Sequence, residues 1–413
     1  YKISLAIGLC EGETQHIERI WANNRLINLG DYCKNFTFYK GDEEQMPNSI
    51  IEAQEGKGNT PAYRGLSYIV IQDLELAEFG NRIPNFHFEL VKKSATTPLQ
   101  NITTKEDAKK ASVESLITGI TIIPGAGEFV YDVITQQKTP GEQVNGVFVQ
   151  TAHKQNINKN NSFNMADASL AIDNMQASFP NLKWVSVVCN WFCNSLDAGQ
   201  AELYPAVEVK QGLKTEPDEW NVAGISRVAA KQITYNDNGH PLYGGTINDA
   251  SLKRFIKHLK SLGFKVMLYP MFFMDMKGKP WRGLLKGSAN DVANFFTKAA
   301  GYNNFITHYA KLASDIAMED EGCTIDAFIM GSELVGLNSA PATDNPEDEA
   351  YGTYPAVQAF TALAATLAQI LPSKTKLTYA ADWSEYHHTE GGWYHLDKLW
   401  ASPHIDMIGI DAY

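Results

Sequence analysis

The stretch Thr324-Ile-Asp-Ala-Phe-Ile-Met-Gly-Ser-Glu-Leu334 sets a single carboxylate, Glu333, at the end of an apolar run of strand length. Two later stretches repeat the arrangement. Lys376-Leu-Thr-Tyr-Ala-Ala-Asp-Trp-Ser-Glu385 and Ile405-Asp-Met-Ile-Gly-Ile-Asp-Ala-Tyr413 both run apolar and then end in acidic or aromatic residues. In a barrel of parallel strands, side chains at the carboxyl ends of the strands face the mouth. A carboxyl group there can protonate a glycosidic oxygen, and nearby aromatic rings can stack on the apolar face of a pyranose. The pattern points to a sugar-cleaving barrel.

Upstream of these strands the chain alternates between two rhythms. Ala168, Ile172, Met175 and Phe179 recur at helical spacing before Pro180, and Trp184-Val-Ser-Val-Val-Cys-Asn-Trp-Phe192 follows as a strand. Leu252, Phe255, Ile256, Leu259 and Leu262 form a helical face with Asn248 and Asp249 as caps and Gly263 as stop, ahead of the strand that starts at Lys265. Phe305, Ile306, Tyr309, Leu312, Ala313 and Ile316 precede the Glu333 strand, and Val357, Phe360, Leu363, Leu367 and Leu371 precede the Leu377 strand. Near-continuous apolar strands separated by amphipathic helices imply a parallel sheet with a covered outer face. A doubly wound sheet also fits. The polar and aromatic strand ends, with no Gly-rich phosphate loop after the first strand, favour the barrel.

The first part of the chain reads differently. Residues 1–9 and 67–72 are strand-like, Phe86-His-Phe-Glu-Leu-Val91 alternates as a half-buried strand should, and no long helix is evident. Residues 94–110 contain Thr, Lys and Asn with little apolar content and are expected to hold the domain boundary. Residues 135–161, rich in Gln, Asn and Lys, are expected to form an exposed, non-periodic excursion.

Composition narrows the function classes. A chain of 413 residues with 44% hydrophobic content can bury a large core, and a formal net charge of −12 leaves no basic stripe for nucleic acid. Apolar runs fall short of the roughly 18 to 20 residues needed to span a bilayer and no leader opens the chain, so a soluble protein without an anchor is expected. Five scattered cysteines suit neither a disulfide framework nor a zinc site. On one strand Cys189 and Cys193 would share a face about 13 Å apart, beyond the roughly 7 Å limit of a disulfide, which points to buried thiols made in a reducing compartment. The His387-His388 pair is a weak metal signal, and neither metal nor cofactor is expected.

Several segments resemble one family. Lys265-Val-Met-Leu-Tyr-Pro270, Pro280-Trp-Arg-Gly283, His308-Tyr-Ala-Lys-Leu-Ala313, Ile325 to Leu334, Tyr379 to Tyr386, His395-Leu-Asp-Lys-Leu-Trp400 and Ile405 to Tyr413 resemble the glycoside-hydrolase-like TIM barrel of the large tail protein of gene transfer agents and related tailed phages. Cys10-Glu-Gly12, Ile20-Trp-Ala-Asn-Asn24, Gln45-Met-Pro47, Pro61 to Val70 and Phe79 to Phe86 resemble the tail-tip hub segment that precedes it. The expected architecture is therefore α/β. A β-rich, tail-hub-like domain over residues 1–100 precedes a glycoside-hydrolase-like TIM barrel over residues 112–413, which reaches about its sixth strand and is incomplete at the C-terminus. The opening Tyr1, in place of Met, points to a piece of a longer polypeptide. Residues 120–150 are expected to fill the gap in the barrel or to associate through it.

The resemblance implies a phage-like tail-tip component acting on cell-envelope polysaccharide or peptidoglycan, made in the bacterial cytoplasm, assembled with other tail proteins, and trimeric in many relatives. It also implies that Glu333, after the fourth strand, is the general acid/base, and that a nucleophilic glutamate follows a seventh strand beyond Tyr413. Trp191, Trp281 and Trp383 are candidate sugar-stacking rings. Asp275 and Arg282 are candidates for binding sugar hydroxyls, Asp382 and Glu385 are candidates of which at least one binds substrate, and Asp411 and Tyr413 are candidates for holding a sugar hydroxyl or orienting Glu333. Each has a plainer reading as a cap, a packing residue or a surface ion pair. A sugar-binding barrel without catalysis and a purely structural tail barrel stay open.

Overall fold

A computed structural model of the chain describes residues 1–92, 113–125, 127–161, 163–387 and 394–412. The expected boundary over residues 94–110 lies outside the described residues. Two compact units are present, Tyr1–Ala111 and Ser112–Tyr413.

The first unit contains strands β1 (Lys2–Glu11), β2 (His16–Ala22), β3 (Arg25–Ile27), β4 (Asn35–Tyr39), β5 (Leu66–Glu75) and β6 (Phe86–Val91). They form two antiparallel sheets of order β1-β5-β4 and β3-β2-β6. Alternation puts Ile69 and Ile71 of β5 and Ile20 of β2 into one shared core. A short α-helix, Ser49–Glu55, begins where the Asn48 side chain accepts hydrogen bonds from the Ile50 and Ile51 amides at 2.9 and 3.1 Å.

In the second unit six strands run parallel and pair strictly in chain order: β7 (Gly119–Ile122), β8 (Trp184–Cys193), β9 (Lys265–Met274), β10 (Ala327–Ser332), β11 (Lys376–Asp382) and β12 (Gly409–Asp411). Helices fill the crossovers: α1 (Asp167–Ser178), α2 (Asp249–Ser261), α3 (Ala289–Thr297) with α4 (Tyr302–Glu319), and α5 (Pro355–Ile370). Sequential parallel pairing with a helix between successive strands is the order of a (β/α) barrel. The expected apolar faces of α2, α4 and α5 are buried against the sheet.

The strands β8 to β11 each serve two cores. Val185, Val187, Cys189, Trp191 and Cys193 of β8 pack among the helices, whereas Val188 of β8, Tyr269 of β9, Ile329 of β10 and Ala380 of β11 gather into a separate cluster. Cys189 and Cys193 are free, buried thiols, and burial pushes both above the ordinary thiol range. Among the described residues no helix is long and apolar enough to cross a membrane.

Three expectations change. Residues 135–161 are not irregular: Gln137–Val144 and Val147–Gln150 form a hairpin over Asn145-Gly146, both at positive φ, and Gln137–Val144 also pairs with Leu213–Glu216. Residues 119–122 supply the first barrel strand, and among the described residues none of the 120–150 region pairs with β12, so of that expectation the association through the gap is what is left. Asn248 sits at the start of α2, yet its side chain accepts from the Asn221 amide and donates to Ser251 and so does not cap the helix.

Buried charge fastens the segment after β7 to its surroundings. Glu128 pairs with Arg227, 99 residues away, through bonds of 2.5 and 3.1 Å. Asp132, fully buried, accepts from Arg254 Nε at 2.9 Å, Arg254 Nη2 at 2.6 Å and Ser251 Oγ at 2.6 Å. Burial pushes its carboxyl up, but Arg254, Ser251 and the Ile134 amide outweigh it and hold the group below the usual range. A depressed carboxylate stabilises the fold above the unfolded pKa of about 4, and that contribution disappears as pH falls through the folded value. Replacing Arg254→Met is expected to cost about 3 kcal/mol at pH 7, because it strands a buried charge. Urea unfolding at pH 7 and well below pH 4 checks this, with the difference between variant and native protein narrowing as pH falls through the folded value.

Candidate active site

Glu333 sits where β10 ends. Gly331 allows the strand to run close to the helical layer: a Cβ there would stand 2.7 Å from Tyr302 Oη and 2.9 Å from the Phe360 ring. Two residues on, Glu333 adopts φ +53°, a left-handed conformation that costs a non-glycine residue on the order of 1–3 kcal/mol. Its own amide donates to Ala380 O at 2.9 Å and the Leu334 amide donates to Tyr379 Oη at 2.8 Å, so β11 holds both flanking peptides.

The Glu333 side chain is only 2% exposed as a residue, and its two oxygens differ. Oε2 accepts from Trp281 Nε1 at 2.7 Å and faces Arg282 Nη2 at 3.0 Å. Oε1 is buried with no hydrogen-bond partner among the described residues. Burial raises the carboxyl above its ordinary range, with Asp411 and Asp382 pushing the same way and Arg282 and Trp281 pulling back.

Trp281 and Arg282 arrive on the loop after β9. The Trp281 ring folds over Gly283, where a Cβ would meet ring carbons at 2.5 Å, and this leaves the indole N–H aimed at Glu333 while the residue stays 39% exposed. Arg282 also donates from Nε to Ser332 O at 2.9 Å and from Nη2 to Ser332 Oγ at 2.6 Å. Asp411 Oδ2 lies 2.6 Å from Tyr269 Oη and 2.9 Å from Ser332 Oγ. Burial and the neighbouring Asp411 raise the Tyr269 phenol far above its usual value, so it stays protonated and donates. One network thus joins the ends of β10 and β12 to Tyr269 of β9 and to the loop that follows it.

The other sequence candidates divide. Asp382 is buried, accepts from the Ser384 amide at 2.9 Å and from its hydroxyl, and is near enough to Glu333 to raise it. Trp383 stands 60% exposed beside it, free to stack on a ligand. Three candidates are corrected. Trp191 shares the parity of Cys189 and Cys193 and packs in the helical layer, 5.4 Å from Phe305 and 5.8 Å from His308 between ring centres, so it offers no platform to sugar. Asp275 accepts from the Thr234 amide at 3.0 and 3.1 Å and from Tyr204 Oη at 3.4 Å, which ties down the 231–243 segment and leaves it outside the Glu333 network. Glu385 is buried beneath the site, where it accepts from Asn338, Tyr379 and the Asp382 amide. Burial pushes its carboxyl up to about 7. Tyr413 and His388 lie outside the described residues. Among the described residues no group of three or more His, Cys, Asp or Glu could hold a metal ion.

Sequence reading missed Tyr269 and Ser332. Both were visible in principle, Tyr269 as the residue two beyond Met267 on the inner face of β9 and Ser332 as the hydroxyl beside Glu333.

A buried carboxyl raised above its unfolded value makes the fold less stable as pH rises through the interval from about 4.3 to the folded value, because there the folded state binds more protons than the unfolded one. Glu333→Gln, which mimics the protonated form, is expected to melt above the native protein at pH 7. Calorimetry should show the gap closing below about pH 4.3.

Residues 300–413 match the GTA TIM-barrel-like domain, GTA standing for gene transfer agent, and residues 211–343 match Glycoside Hydrolase Family 113. No curated protein matches the chain. Among solved structures, a chain of the virion of a native gene transfer agent particle is 38% identical over 31% of this chain and 27% of its own, with a TM-score of 0.23. A GH113 β-1,4-mannanase is 18% identical over 59% of this chain and 56% of its own, with a TM-score of 0.32. A GH113 β-mannanase from Alicyclobacillus acidocaldarius is 13% identical over 55% and 50%, with a TM-score of 0.30. The chain thus spans between about a quarter and just over half of those relatives. Over the two matched ranges the chain is therefore similar to the TIM-barrel-like domain of gene transfer agents at residues 300–413 and to Glycoside Hydrolase Family 113 at residues 211–343.

Proposed function

We propose that this chain is the glycoside-hydrolase-type part of a phage-like tail-tip protein and acts on cell-envelope polysaccharide or peptidoglycan, with Glu333 as general acid/base. The observation that carries the reading is the asymmetry of the Glu333 carboxyl. Trp281 and Arg282 occupy Oε2, and Oε1, without a hydrogen-bond partner among the described residues, is the oxygen on which burial favours a proton. Delivered to a glycosidic oxygen, that proton lets the leaving sugar depart neutral. The Glu333 carboxylate then takes a proton from the attacking water.

Trp281 and Trp383 offer exposed ring surface for stacking, and Asp382, Asp411 and Arg282 offer groups for sugar hydroxyls. Hydrolysis also needs a second carboxyl, roughly 5 to 5.5 Å away for retention or 6.5 to 9.5 Å for inversion. The family resemblance assigns that role to a glutamate after a seventh strand, and six are described. The match to the gene transfer agent domain supports assembly with other tail proteins in a bacterial particle, and the trimer is part of the same proposal.

A second reading, sugar binding without cleavage, is favoured by one observation. Glu385 is withdrawn into the core, which leaves Asp382 and Asp411 as the carboxyl neighbours that raise Glu333. Glycan release measured by mass spectrometry on peptidoglycan and envelope polysaccharide separates the two. It is run on the chain and on a version continued past Tyr413, each with and without Glu333→Gln. Hydrolysis is expected to fall about 10²- to 10⁴-fold in the variant. Saturable binding without release, unchanged by Glu333→Gln, would establish the second reading.

A further inference from the structure

We infer that Tyr379 and Glu385 are positioning residues for Glu333. The Tyr379 hydroxyl holds the peptide after Glu333, and Glu385 holds that hydroxyl. The inference rests on the proposed acid/base role of Glu333.

The hydrogen inventory supports the assignment. Tyr379 Oη accepts from the Leu334 amide at 2.8 Å and from Asn338 Nδ2 at 2.7 Å, which uses both lone pairs. Its own proton is then directed to Glu385, whose oxygens stand 3.1 and 3.2 Å away. Asn338 Nδ2 spends its second hydrogen on Glu385 Oε1 at 2.6 Å, and Glu385 Oε2 accepts the Asp382 amide at 3.1 Å. Glu385 makes no hydrogen bond to Glu333 or to its charged neighbours Arg282, Asp382 and Asp411 through their side chains. It acts through Tyr379, which accepts the amide immediately after the one residue of β10 and its end that sits at positive φ. Without that acceptor, β11 keeps the bond from the Glu333 amide to Ala380 O but loses its hold on the following peptide, and the left-handed residue lets its carboxyl drift from Trp281 Nε1, now at 2.7 Å.

Trp281 therefore supplies a reporter that does not depend on catalysis. Its indole N–H resonance in ¹H–¹⁵N spectra, assigned by Trp281→Phe, is followed against pH, and Glu333→Gln identifies the step that belongs to Glu333. In Tyr379→Phe that step is expected to move by about half a pH unit or more, or to vanish. Glu385→Gln, which keeps one acceptor for Tyr379, is expected to shift it less and in the same direction. On a glycan that the native protein cleaves, kcat should fall up to about 100-fold in Tyr379→Phe with KM within about twofold.

Folded variants with the native Trp281 titration would overturn the inference. So would loss of the fold in both, because the network would then be core scaffold and no more. If the native protein releases no sugar, the functional proposal fails, and the indole titration still decides whether Tyr379 and Glu385 position Glu333.

Discussion

A parallel strand buried on both faces must give every second side chain to the helices and every other one to the barrel interior, and this period of two governs the C-terminal unit. On β8 it sends Val187, Cys189, Trp191 and Cys193 outward and Val188 inward. On β9 it brings Tyr269 to the inner side, where Ser332 and Asp411 meet its hydroxyl. The polar groups at the strand ends are therefore neighbours because the apolar positions below them are fixed by packing.

Electrostatics at those ends is unequal in sign. Glu333 pairs with one guanidinium, Arg282, which also bonds twice to Ser332, while Asp382 and Asp411 lie near enough to oppose the Glu333 charge. Burial is the largest cause that raises the Glu333 carboxyl above its solution range; Asp411 and Asp382 add to it, and Arg282 and Trp281 pull back. Trp281 and Arg282 share one oxygen of Glu333, and the other has no hydrogen-bond partner among the described residues.

Much of this was legible in the sequence because long periodic segments fix their partners. The apolar faces of α2, α4 and α5, the strands leading to Glu333 and Asp382, and the strands at 67–72 and 86–91 needed no tertiary information. The failures have particular causes. Trp191, a candidate stacking ring with packing as its plainer reading, shares the parity of the two cysteines recognised as buried, and that parity already favoured packing. The Asn145-Gly146 turn, flanked by Val144 and Val147, is a hairpin signal that polar composition hid. The Ser288 and Asp291 capping box that opens α3 was passed over. Glu385 could not be judged from sequence, since its withdrawal depends on Asn338 and Tyr379 closing around it from two other segments.

The left-handed turn at Glu333 bears on how such a site can be inherited or engineered. The segment that spells the acid is a few residues long, yet its shape is held by Ala380 and Tyr379, nearly fifty positions later in the chain. Copied alone onto another strand end, Gly331-Ser-Glu-Leu334 would carry the carboxylate without the acceptors that keep it in place. The transferable unit is β10 together with β11, so recombination that parts those two strands would leave the carboxylate in the sequence and remove its setting.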